Sequence, residues 1–111
     1  MLVLTTETVQ GREISESLGL VRGNTIRARH LGRDIVAGLR TIVGGEIHEY
    51  AKLLGEAREQ AIDRMLDEAR GLGADAVVGV RFSTSVIINN AAEMLAYGTA
   101  VKLKDKPTLG E

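Results

Sequence analysis

The chain has 111 residues, enough for one domain, with 44% hydrophobic and 26% charged residues and a formal charge of −1. This is the composition of a globular protein, not of a disordered chain. The absence of Cys excludes disulfides, a thiol nucleophile and thiolate metal ligation, and near-neutrality with only three aromatic residues argues against a nucleic-acid-binding surface.

The N-terminal run Met1–Leu4 is too short for a signal peptide or a membrane span, and no later apolar run approaches the required length. A cytoplasmic protein without membrane contact is therefore expected. A core this poor in aromatics must be built from Leu, Ile, Val and Ala. Small aliphatic cores of this kind are marginal alone, and oligomerisation is a common remedy.

In chain order, residues 2–5 read as a short strand and Gln10-Gly11 as a turn. Residues 14–28 read as one long bent strand or two short ones. Gly19 marks a bulge, and Arg22-Gly23-Asn24 marks a turn or a second bulge. Leu31, Ile35, Val36, Leu39, Ile42 and Val43 recur at helical spacing, with Gly44-Gly45 as a stop.

A second, long helix is predicted from about Glu46 to Leu72. Its buried stripe is Ile47, Tyr50, Leu54, Ala57, Ala61, Met65, Ala69 and Leu72, and Gly71 and Gly73 end it. At about 1.5 Å per residue it would span some 40 Å, which is long for a monomer of this size.

Residues 74–84 read as a strand, central at its start, with Ala76, Val78, Val80 and Phe82 on one face. Residues 94–103 form the last strand. Its small face, Ala96, Gly98 and Ala100, leaves room for a helix backbone or another subunit. The segment 104–111 reads as a flexible tail behind a single domain over 1–103. The order of elements predicts an α+β two-layer sandwich, an antiparallel-rich sheet with two helices on one face.

Recognisable chemistry is sparse. His30 and Asp34 are four residues apart, and His48 sits between Glu46 and Glu49 at a helix start. Two His and no Cys do not complete a four-ligand zinc site within one chain, although a symmetric oligomer can multiply a ligand about its axis. There is no nucleophile elbow, phosphate loop or dinucleotide fingerprint.

Several ordered runs carry a resemblance. Leu18-Gly19-Leu20-Val21-Arg22-Gly23, Asp34, Ala37-Gly38 and Ile42-Val43-Gly44-Gly45 open it. Tyr50, Leu54, Ala57-Arg58, Ala61, Met65 and Ala69 continue it, followed by Gly73–Val80 and Tyr97-Gly98-Thr99-Ala100-Val101. Over residues 2–103 the chain resembles the YbjQ-like family, whose label is putative heavy-metal-binding. The resemblance implies α+β subunits assembled into a ring, typically a homopentamer. Without Cys, any metal would need ligands other than thiolate.

The expected function is a non-enzymatic, ring-forming protein that binds a metal ion or small ligand at subunit interfaces. Asp34, Arg40, Tyr50 and Arg58 are the candidate contacts, being polar positions on or beside the family pattern. The alternatives are an acid–base hydrolase with an interface active site and a purely structural assembly.

Overall fold

The computed structural model describes residues 1–28, 46–88 and 91–105. Its elements are β1 (Leu2–Val3), β2 (Ile14–Ala28), α1 (Glu46–Gly71), β3 (Ala76–Ile88) and β4 (Ala91–Leu103). The four strands form one sheet in the order β1-β3-β4-β2. β1 runs parallel to β3, and the other two pairings are antiparallel. The architecture is α+β, as expected.

Of the expected pair of helices, one is found among the described residues. α1 is the single helix among the described residues, and the helix expected over 31–43 lies outside them.

β2 is one continuous strand of 15 residues. Its pairing with β4 shifts register between Ser17 and Gly19, and Gly19 has φ 113°, so the predicted bulge is present. Gly23 is neither a turn nor a bulge. It pairs in register with Ala96, and its missing side chain has another use. A Cβ there would lie within 3.0 Å of the Ala61 carbonyl oxygen, the Met65 amide nitrogen and the Arg64 carbonyl carbon. The backbone of α1 rests directly on this glycine.

The small face of β4 is thereby explained within one chain. Ala96 and Ala100 are fully buried beneath the helix layer, together with Val21, Val77, Ala57, Ala61, Met65 and Ala69. A Cβ on Gly98 would press on Val77, Val80 and the Val78 carbonyl oxygen. Alternation along strands and 3.6-residue periodicity along α1 bring these small residues to one interface.

The α1 stripe runs through Ala57, Ala61, Met65 and Ala69 as its spacing predicts. Leu72 departs from it and is 45% exposed. It lies beyond the last helical residue, in a Schellman turn. The Ala74 amide donates to the Ala69 carbonyl (3.1 Å), the Gly73 amide donates to the Arg70 carbonyl (3.0 Å), and Gly73 has φ 77°. An L-residue is strained in this left-handed geometry. Gly73→Ala is expected to cost about 1 kcal/mol in urea unfolding; an unchanged midpoint would contradict it.

The faces of β3 also differ from simple alternation. Gly79, at φ 62°, forms a bulge between Val78 and Arg81 that shifts the register. Val80 therefore joins Val77 beneath the helix, while Ala76 and Val78 enter a second apolar cluster with Val9, Val101 and Leu103. The start of β3 is central, as predicted, between β1 and β4.

Candidate functional site

Of the predicted site residues, Arg58 is the one whose side chain is among those described. Asp34 and Arg40 lie outside them. Tyr50 falls in the early part of α1, and its side chain is not among those described. Arg58 is exposed, one residue beyond the buried Ala57, and reaches back along the helix so that a Cβ at Gly55 would meet its Nη2 at 3.8 Å. His30 is outside the described residues, and of His48 only the helical backbone is described.

Among the described residues, a concavity with charged side chains at its rim sits at the base of the sheet. Two adjoining clefts share Arg12 and Asp105. One is completed by Thr8, Gly11, Glu13, Ile14 and Lys104, the other by Met1, Leu2, Asp75 and Leu103. The turn at Gly11 (φ 79°), closed by the Arg12 amide donating to the Val9 carbonyl (3.1 Å), projects Arg12 across the end of β4. There its Nη2 donates to the Lys104 carbonyl at 2.8 Å, while its Nε is buried without a partner.

Around it, the Lys104 amide donates to the Glu13 carbonyl (2.8 Å) and the Lys104 ammonium pairs with Glu13 at 3.0 Å. Asp75 accepts from the Leu103 amide (2.9 Å). The Lys104–Glu13 pair is well exposed, so it adds little stability. The chemistry on offer is recognition by a fixed guanidinium and surrounding carboxylates. Among the described residues, no His and no Ser-base pair lines either cleft.

Among the described residues, no group of three His, Cys, Asp or Glu side chains could hold a metal ion. The donors present there do not fit a metal centre, which needs several convergent ligands. Nor is any described helix long and apolar enough to cross a membrane.

The sequence reading missed this base cluster. The Gln10-Gly11 turn was its one local signal, but Arg12 and Lys104 are 92 residues apart and meet only through the sheet.

The second feature is the sheet face opposite α1. Leu20 is 61% exposed and Ile26 55%, and Tyr97 stands on the same face between Arg22 and Arg81 of the flanking strands. It is a mixed surface on which Leu20 and Ile26 are separated by Arg22 and Asn24 and a row of two arginines and a tyrosine crosses the three strands. Single exposed apolar residues of this kind are ordinary.

Comparison with known proteins places these features in context. The family model described as putative heavy-metal-binding (YbjQ) matches residues 1–104. A UPF0145 protein from Methanosarcina acetivorans is 58% identical over 106 residues, covering 96% of this chain and 100% of its own. Another, from Archaeoglobus fulgidus, is 60% identical over 104 residues, covering 94% and 96%. Among solved structures, a protein with unknown function of the DUF74 family from Pediococcus pentosaceus superposes with a TM-score of 0.64. It is 17% identical and covers 94% of this chain and 98% of its own, a likeness of fold.

Proposed function

The chain belongs to the YbjQ-like family, described as putative heavy-metal-binding, and from that premise we propose that it is a subunit of a cytoplasmic homo-oligomeric ring that binds a ligand between subunits and is not an enzyme. Five is the subunit number that the family resemblance implies. The domain runs over residues 1–103, and the tail 104–111 is anchored at its first residue by Glu13 and Arg12.

One observation carries the assembly reading: the described part of a single chain is elongated and leaves large apolar side chains exposed. Its radius of gyration is 18.1 Å and its extents are 63 × 25 × 17 Å. A compact chain of this length would have a radius near about 13 Å. Among the described residues, Leu20, Ile26, Phe82 and Tyr97 are exposed. Burying such surface between copies is the ordinary way to stabilise a small aliphatic domain.

The ligand is a metal ion or a small polar molecule. Thiolate ligation is closed to this chain, which has no Cys. Both histidines, His30 and His48, lie in one stretch of sequence with Asp34, Glu46 and Glu49, where rotational symmetry would multiply each of them about an axis. Asp34, Arg40, Tyr50 and Arg58 are the proposed contacts for a small ligand.

Native mass spectrometry of protein purified without added metal tests both halves. The expected spectrum is a ring mass of five subunits plus a retained ligand. A monomer at micromolar concentration would refute the ring. Apo rings alone would refute the ligand and favour a structural assembly.

A further inference from the structure

Arg12 is a charge that the stability of the fold does not explain. Its Nε is buried without a hydrogen-bond partner, while its Nη2 donates to the Lys104 carbonyl at 2.8 Å. Sealing a donor away from water and from every acceptor forfeits the full hydration of that group. A methionine in the same place would carry no such penalty. A buried polar group left unsatisfied in a native fold calls for a reason other than stability.

No carboxylate neutralises it. Among the described residues the ion pairs are Arg70–Asp67 and Lys104–Glu13, and neither includes Arg12. The carboxylates that share its clefts are placed otherwise. Glu13 is taken by the Lys104 ammonium at 3.0 Å, Asp75 accepts from the Leu103 amide at 2.9 Å, and Asp105 is exposed on the segment after β4. A guanidinium stays charged at every ordinary pH. Arg12 is therefore a fixed cation without a counter-ion in contact.

Its position is concave. A cleft of 570 Å³ toward Gly11 and Ile14 and one of 440 Å³ toward Leu2 and Leu103 meet at this residue. Both volumes lie within the range of small-molecule sites, about 300–1,000 Å³. Held through Nη2, the planar group is oriented before a ligand arrives, which removes part of the ordering cost that a free surface arginine would incur.

The surroundings select among anions. Asp75, Asp105 and Glu13 stand around the two clefts and oppose a ligand that carries two or more negative charges. The second cleft has an apolar wall of its own: Met1 is 47% and Leu2 44% exposed, beside Leu103. Exposed aliphatic side chains next to one fixed cation match a molecule with a single charged end and an aliphatic body.

We propose that Arg12 anchors a binding site for a small aliphatic monocarboxylate, with the carboxylate on the guanidinium and the body along Met1, Leu2 and Leu103. The site is built within one chain. It goes beyond the interface ligand proposed above and stands whether or not copies assemble.

The test titrates the full chain with hexanoate by isothermal calorimetry, beside inorganic phosphate and the neutral analogue hexanol. The expected result is saturable binding of hexanoate alone among the three. Arg12→Met relieves the unpaired donor and keeps the volume; it should stay folded by far-ultraviolet circular dichroism and weaken hexanoate roughly tenfold or more. Leu2→Ser, at an exposed position, should also weaken it by removing apolar contact. Hexanoate that fails to bind wild type, phosphate or hexanol that binds as well as hexanoate, or a folded Arg12→Met with unchanged affinity each overturns the proposal. If Arg12→Met disrupts the fold, Arg12→Lys decides: it keeps the charge and loses the planar fork, and unchanged affinity there overturns the assignment. A monomeric wild type that binds hexanoate through Arg12 refutes the ring and leaves this site in place.

Discussion

Gly23→Ala is expected to destabilise the fold by about 3 kcal/mol, at the upper end of what one added methyl costs in a packed interior. The atoms it would strike belong to the helix backbone, the Ala61 carbonyl, the Arg64 carbonyl carbon and the Met65 amide, all within 3.0 Å of the new Cβ. A side chain in that position could rotate away, but a helix backbone cannot. The whole of α1 must lift from β2.

Lifting it has two further consequences. It loosens the apolar layer between Met65, Ala61 and Val21. It also withdraws Arg64 and Glu68 from the β2 edge, freeing the Asn24 carbonyl and the Arg22 amide. Urea unfolding at fixed protein concentration, with hydrogen exchange at Arg22, measures both. A loss below about 1 kcal/mol, with protection at Arg22 retained, would show that the helix does not depend on this close approach.

Met65→Ala is expected to cost about 3 kcal/mol. Met65 is fully buried and, with Met94, is one of the two methionines of its cluster. Leu, Ile or Met to Ala in a core costs about 2–5 kcal/mol, and the value depends on how far the neighbours collapse. Here many of the neighbours are themselves small: Ala57, Ala61, Ala69, Ala96 and Ala100. Alanine has no rotamer with which to fill a void, so most of the cavity should persist.

The measurement is a thermal or urea melt at matched concentration, because the stability of an oligomer depends on protomer concentration. A cost under about 1 kcal/mol would mean that the layer beneath α1 is loosely packed. Met65→Leu, which nearly conserves volume, should stay within about 1.5 kcal/mol of wild type.

Residues with strong local patterns were legible. The three- and four-residue spacing of Ala57, Ala61, Met65 and Ala69 identified the buried side of α1. The Gln10-Gly11 turn, the Gly19 bulge and the Gly73 stop could each be read from a glycine in context, and each has positive φ at that glycine. Gly23 misled because a glycine without positive φ carries no local signal. It is there for the helix above it. Val80 misled because one bulged residue reverses every later side chain, and nothing adjacent to Gly79 in sequence reveals which glycine bulges. Of the candidate contacts, Arg58 rests on the family pattern alone, and its exposed place on α1 does not join it to the base cluster.

The sequence by itself therefore determined the kinds and order of the described elements and the absence of thiol chemistry. Helical and strand periodicity act between near neighbours, and composition needs no geometry. Tertiary structure decided the parallel pairing of β1, the meeting of Arg12 with Lys104 and the covering of the β2 edge by Arg64 and Glu68. Each of these depends on which backbone groups find partners far away in the chain, and that is settled only when the sheet assembles and the helix settles on Gly23.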